Sequence, residues 1–317
     1  MTAPTLDAMG FTTCAADATT MNDDDLRRTW LFGPGAGEDA HVAMLRSGAD
    51  VLIADLEDFT PPQRREEARR GIAQLLERWR SAGRVAAVRI NALETDGAMD
   101  LAAAMRGRPH IVAYPMAATA HQMRVLDDAM SECERDHGIA AGSTAILPVC
   151  ETALGVVDVR AIAAGSARIH SALLGAEDLV ADLCAERHPD AVELEHARRG
   201  FLLECRAAAI EPIDAPYTFS DTEGALREAR HARRLGYRCK SLVRPEHALA
   251  LNAAFTPTED EVARAKEVVS AFEAARAQGQ ERALVEGLWV EVPTYRNAQR
   301  VIDRARRLGS ANRAAQR

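Results

Sequence analysis

The 317 residues are 47% hydrophobic and 27% charged, with a formal net charge of −8; these are globular proportions with enough apolar material for a sizeable core. The negative balance and the lack of a dense basic run argue against nucleic acid as the main partner, so an anionic substrate must be held by a local arginine or a metal. No stretch approaches the roughly 18 apolar residues that a membrane span needs. The first twenty residues lack the basic start and apolar run of a signal peptide. The six cysteines show neither a CxxC pair nor zinc spacing, so a reducing cytoplasm is the expected compartment.

Residues 1–27, rich in Thr, Ala and Asp, read as a flexible N-terminal arm without assignable chemistry. From residue 28 onward, apolar strand-like runs recur at 29–32, 51–56, 85–91, 110–115, 144–150, 169–175, 211–216 and 239–243, with helical patterns between them. Short strands alternating with longer helices mean βαβ units and a parallel sheet. Eight such units close into a (β/α)8 TIM barrel, predicted over 28–255, more naturally than they extend an open sheet. A doubly wound sheet would need a glycine-rich dinucleotide turn, and none fits: Gly33-Pro34-Gly35-Ala36-Gly37 has the wrong spacing.

After the eighth unit, Thr256-Pro257-Thr258-Glu259 predicts a helix start with Thr256 as N-cap, proline first and glutamate third. Val262, Ala265, Val269 and Phe272 mark its apolar face, and it stops near Gly279. The segment 287–293 then precedes a last helix carrying Ala298, Val301, Ile302 and Ala305. This C-terminal helical extension, 256–317, is expected to be too small for a core of its own and to pack on the barrel or on a neighbouring subunit.

Barrel enzymes place their sites at the C-terminal ends of the strands, and acidic residues gather there. Asp55, Glu57 and Asp58 close the second strand, Arg89 the third, Glu151 the fifth and Asp178 the sixth. A single acid at a strand-to-helix turn usually serves the helix start. Two carboxylates from successive strands, with Arg89 nearby, are instead what a hard cation such as Mg²⁺ needs. Arg89 is a candidate two-point anion clamp, and also a natural salt-bridge partner for the Asp55/Glu57/Asp58 cluster, whose members would support Arg89 or metal-bound water. The chain has two lysines. Lys240 starts a strand, at the wrong end of a barrel, and Lys266 lies on a surface helix. A Schiff-base mechanism is therefore unsupported, and a carbon–carbon lyase would need a metal as electron sink.

The ordered set Arg28-Thr29-Trp30-Leu31-Phe32, Asp55-Leu56-Glu57-Asp58, Val88-Arg89-Ile90-Asn91, Leu147-Pro148 with Glu151-Thr152, and Gly175-Ala176-Glu177-Asp178-Leu179 resembles the citrate lyase β-subunit-like branch of the HpcH/HpaI aldolase family. Gly236-Tyr237, Lys240 and Pro245 continue the match, which spans nearly the whole chain. The resemblance implies a trimeric or hexameric barrel enzyme with Mg²⁺ on Glu151 and Asp178, and with Arg89 gripping the carboxylate of an α-keto acid fragment. It implies cleavage of a 3-hydroxy polycarboxylic acid or its CoA thioester, of citryl, malyl or citramalyl type, to a keto acid and an acyl product. Two positions depart from it. Glu291 stands where related lyases carry an aspartate that acts as acid/base in a neighbour's site. Arg244 replaces the histidine of an Ile-His-Pro motif and is a candidate for a second carboxylate or phosphate. Arg28 is a further candidate for the substrate's distal end. A thioesterase on the same acyl-CoA, or a non-catalytic acid-binding subunit of a lyase complex, remain the alternatives.

Overall fold

The computed structural model describes residues 26–315, so nearly all of the predicted N-terminal arm lies outside the described residues. Eight parallel strands close into a barrel in sequential order: β1 (Thr29–Pro34), β2 (Val51–Asp55), β3 (Val85–Arg89), β4 (Ile111–Tyr114), β5 (Ala145–Cys150), β6 (Ser171–Leu174), β7 (Glu211–Tyr217) and β8 (Lys240–Leu242). Between them run α1 (Glu38–Arg46), α2 (Arg65–Ser81), α3 (Ala98–Met105), α4 (Ala120–Asp136), the short α5 (Ala153–Val157) and α6 (Val159–Ala163), α7 (Glu177–Asp182), α8 (Glu195–Ala207) and α9 (Thr222–Leu235). Helix α10 (Ala248–Ala254) closes the eighth unit.

The strands read as continuous apolar runs because both faces are covered. Alternate residues divide between two cores. Trp30, Phe32, Ile53, Ala87, Ala113, Leu147, Leu173 and Cys239 belong to a cluster drawn from the strands and the residues that border them, which fills the barrel. Their neighbours Leu31, Leu52, Val88, Val112, Leu174 and Leu242 pack outward against helix residues such as Ile72, Leu126 and Phe201. This parity decides which strand-end side chains face the mouth.

The C-terminal segment corrects two expectations. Its first helix, α11 (Glu259–Ala277), is capped by Thr258 rather than Thr256, with Glu261 closing a reciprocal capping box. Then β9 (Ala283–Val285) and β10 (Leu288–Val290) form an antiparallel hairpin before α12 (Val292–Ala315). Phe272, Val268, Val290, Ala283 and Ala298 form a buried cluster separate from both barrel cores. The extension therefore does hold a small core of its own, because the hairpin closes the space between α11 and α12. Among the described residues no helix is long and apolar enough to cross a membrane.

Candidate active site

Parallel register sets Asp55 directly beside Arg89, and both fall on the inward parity of their strands. Asp55 is fully buried. Its Oδ1 accepts from the Glu57 amide at 3.0 Å and its Oδ2 from the Phe59 amide at 3.2 Å, so the carboxylate shapes the turn after β2. It also takes Arg89 in two-point fashion, Nε at 2.8 Å and Nη2 at 2.5 Å. Arg89 Nη2 reaches Asp58 Oδ2 at 3.0 Å, and Nη1 lies 3.0 Å from Glu57 Oε2. The guanidinium carbon stands 5.3 Å over the Phe32 ring, which forms the floor of the clamp. Burial opposes charge on Arg89, yet Asp55, Glu57 and Glu151 outweigh it and hold the guanidinium firmly protonated.

Glu151 follows β5 and is buried, with Oε1 accepting the Met116 amide at 2.8 Å. Met116 adopts a left-handed backbone (φ 48°), unusual for a residue with a side chain, and this aims its N–H at the carboxylate. Gly175 directly follows the adjacent strand, β6. A side chain there would fall against Glu151 Cβ and 2.8 Å from Oε2, so the glycine makes room for the carboxylate. Asp178 sits exposed in the first turn of α7. The neighbouring Glu177 is tied by Thr218 Oγ1 at 2.7 Å and Arg187 Nε at 3.2 Å.

Five carboxylates (Asp55, Glu57, Asp58, Glu151 and Asp178) thus gather around the Arg89 guanidinium, and three of them hold their protons more tightly as a result. Burial, then Asp58 and Glu151, push Glu57 up to about 8 even against Arg89. Burial, with Asp178 and Asp58 behind it, raises Glu151 to about 7 against Arg89 and the Met116 amide. Asp178 is raised too, by the partial loss of water around its carboxyl in the mouth and then by Asp58. Groups displaced this far in a barrel mouth mark a functional site.

Among the described residues no group of three or more His, Cys, Asp or Glu converges as a ready-made metal cage. A hard divalent cation that keeps several waters and takes one or two carboxylates suits the oxygen donors Glu151 and Asp178, whereas zinc would want a fuller nitrogen–sulfur set. The excess negative charge suits such an ion as well.

Three sequence candidates stand elsewhere. Arg28 precedes β1 and so lies at the opposite end of the barrel, bound to Asp50 through Nε and Nη2, both at 2.9 Å, and to Thr256. It corrects the expectation of a substrate contact. Arg244 follows β8 on the right rim, but Val243 packs with the barrel interior, so Arg244 takes the outward parity. Its Nη1 lies 3.5 Å from Glu246, which corrects the expectation that it faces the site. Glu291 is exposed after the hairpin and belongs to the C-terminal core's surface.

Two supports escaped the sequence reading. One is the Met116 amide. The other is buried Asp100 on α3, whose Oδ2 accepts the Asn91 amide at 3.0 Å and Asn91 Nδ2 at 2.7 Å, while Nδ2 also donates to Leu56 O. Arg69 Nη1 pairs with Asp100 at 3.0 Å. This network staples the loop after β2, which carries Glu57 and Asp58, to the loop that follows Arg89 at the end of β3.

A closed parallel barrel with a carboxylate-rich mouth built around one buried arginine defines an α/β-barrel enzyme. Residues 28–245 match the model of the HpcH/HpaI aldolase/citrate lyase family, and the chain belongs to that family. It is a carbon–carbon lyase. It is 33% identical to citrate lyase subunit beta of Leuconostoc mesenteroides subsp. cremoris, covering 92% of this chain and 96% of that protein. It is 28% identical to an L-malyl-CoA/beta-methylmalyl-CoA lyase of Cereibacter sphaeroides, over 88% of this chain and 94% of the other. Among solved structures it resembles CitE from Mycobacterium tuberculosis in complex with magnesium, acetoacetate and coenzyme A, at a TM-score of 0.71 and 28% identity, covering 88% and 97% of the two chains.

Proposed function

We propose that this lyase cleaves, or in reverse forms, a carbon–carbon bond of a 3-hydroxy polycarboxylic acid or its CoA thioester, giving a keto acid and an acyl product. The observation that carries the reading is the convergence of Glu151, Asp178 and Arg89 at one barrel mouth, close enough that each shifts another's proton affinity. Glu151 and Asp178 would hold Mg²⁺, in keeping with the magnesium complex of the M. tuberculosis relative. When bound, that ion supplies Lewis-acid stabilisation of negative charge developing on oxygen.

The chain's own residues do the rest. Arg89 grips the carboxylate of the keto-acid fragment and fixes its orientation. Asp55 locks the guanidinium by taking its Nε edge, and Glu57 and Asp58 lie along its other edge. The Met116 amide holds Glu151 Oε1, and the Phe32 ring keeps water from the lower face of Arg89. The reading divides the chain into the catalytic barrel, 28–255, and the extension, 256–317. In a homotrimer or hexamer the extension would carry Glu291 to a neighbour's mouth as acid/base. The compartment it suggests is the cytoplasm.

The test is a product assay with citryl-, malyl- and citramalyl-CoA, in Mg²⁺ and in EDTA. Metal-dependent release of keto acid together with acyl-CoA is expected. Free CoA without bond cleavage would replace the reading by a thioesterase, and no turnover on any of the three would leave a carrier-bound or free acid as substrate.

A further inference from the structure

The donor edges of Arg89 are unequally held. A guanidinium offers five N–H groups in a rigid fork. Asp55 takes the Nε edge, and does so permanently: it is 0% exposed and pinned by two backbone amides. The remaining edge, Nη1 and the second Nη2 proton, is the one a planar carboxylate would take in two-point fashion. Two separate loop carboxylates occupy it, each lending one oxygen. Asp58 Oδ2 sits 3.0 Å from Nη2 with a side chain 59% exposed, and Glu57 Oε2 sits 3.0 Å from Nη1 with a side chain 23% exposed. Glu57 Oε2 is near the cation without hydrogen-bond geometry, a poor substitute for a true partner.

We infer that Asp58, with Glu57 beside it, stands in for the substrate's carboxylate on Arg89 and must leave that edge for the acid to bind. This rests on the reading that Arg89 grips the acid, and it adds what the acid displaces. The gradient in exposure sets which carboxylate yields: Asp58 can swing into water at small cost, while Asp55 cannot move without breaking the turn after β2. The device discriminates. A planar two-oxygen anion replaces both loop oxygens at once, whereas a group offering one oxygen leaves one N–H contact unmade. It also keeps the outer edge of the buried arginine paired between turnovers, while Asp55 holds the other edge throughout.

Isothermal titration of the full chain with oxalate in saturating Mg²⁺ tests it, using wild type, Asp58→Asn, Glu57→Gln, Arg89→Lys and the double variant Asp58→Asn/Arg89→Lys. Asp58→Asn removes the competitor and is expected to tighten oxalate about two- to fivefold, the range for an ion pair near the surface. Glu57→Gln is expected to act in the same direction. Lysine keeps the charge at position 89 but loses the two-point edge, so the Asp58→Asn gain should vanish in the double variant. A gain that persists there is a general field effect and overturns the inference. So does an unchanged or weakened affinity in both Asp58→Asn and Glu57→Gln, provided Arg89→Lys weakens oxalate. If Arg89→Lys binds oxalate as wild type does, the clamp itself fails, and with it the reading on which the inference stands.

Discussion

Two ionic groups of this barrel, one sealed in the wall and one at the mouth, differ above all in their balance. Behind β7 and β8, Arg198 and Lys240 face Asp214 and Glu228: Arg198 binds Asp214 at 2.8 and 2.6 Å, and Lys240 Nζ lies 2.6 Å from Asp214 and 2.9 Å from Glu228. Two cations meet two anions. Burial alone would raise Asp214, yet Arg198 and Lys240 overcome it and hold its carboxyl below the usual range. At the mouth, five carboxylates share Arg89, and Glu57, Glu151 and Asp178 are all raised. The first group binds wall to helix with its charges matched. The second is built with a deficit of positive charge, and a deficit is what recruits a cation.

The largest effect should come from unbalancing the matched group. Asp214→Ala strands Arg198 and Lys240 in the wall, and a loss of about 3–5 kcal/mol is expected in denaturant melts. A loss below about 1 kcal/mol would mean that the network is not the strut described here. Next, Glu151→Gln should lower Mg²⁺-dependent turnover on the order of a hundredfold or more while the fold persists, as circular dichroism would show. Full activity in this variant would remove the mouth's claim to be the catalytic half of the comparison.

A smaller effect sharpens the contrast by pH. The Mg²⁺ affinity should fall as pH drops below about 7, approaching tenfold per unit, because a proton then competes for Glu151. Calorimetric titrations between pH 5.5 and 8 would read it, and a flat profile would count against Glu151 as a ligand. In the metal-free protein the sign for Glu57 runs the other way from Asp214. Its folded affinity, near 8, exceeds the ordinary 4.5, so the native state binds more protons across that interval and stability falls as pH rises through it. Glu57→Gln should therefore stabilise the metal-free chain by about 1 kcal/mol at pH 8, with the gain shrinking toward pH 5. The smallest functional effect belongs to Arg28→Ala, which should soften the barrel floor by about 1 kcal/mol and leave KM unchanged.

The barrel was legible because its strands are apolar on both faces and punctuated at regular spacing, a pattern that survives without knowledge of any contact. The acid pair and Arg89 were legible because they stand where those runs end. What escaped turns on one-residue questions. Arg28 and Arg244 both border strands, but Arg28 precedes its strand and Arg244 has the outward parity, so neither joins the mouth. Thr256 and Thr258 offer competing caps, and only the reciprocal bonds with Glu261 choose between them. The hairpin turn places Glu286 and Gly287 at φ 48° and 81°, and glutamate gives no hint of a left-handed turn. The Met116 amide has no side-chain signature at all.

The placement of Lys240 has a practical corollary. The chain carries two lysines, and Lys240 is sealed inside the wall with its amine bound. Lys266 is exposed on α11, beside a notch it lines with Pro257 and Ala305. An amine-directed fluorophore would therefore find one accessible lysine, and that one rides on the C-terminal extension. With the α-amine blocked beforehand, labelling without mutagenesis becomes a way to watch that segment move relative to the barrel, read as a change in anisotropy when an acid enters the mouth.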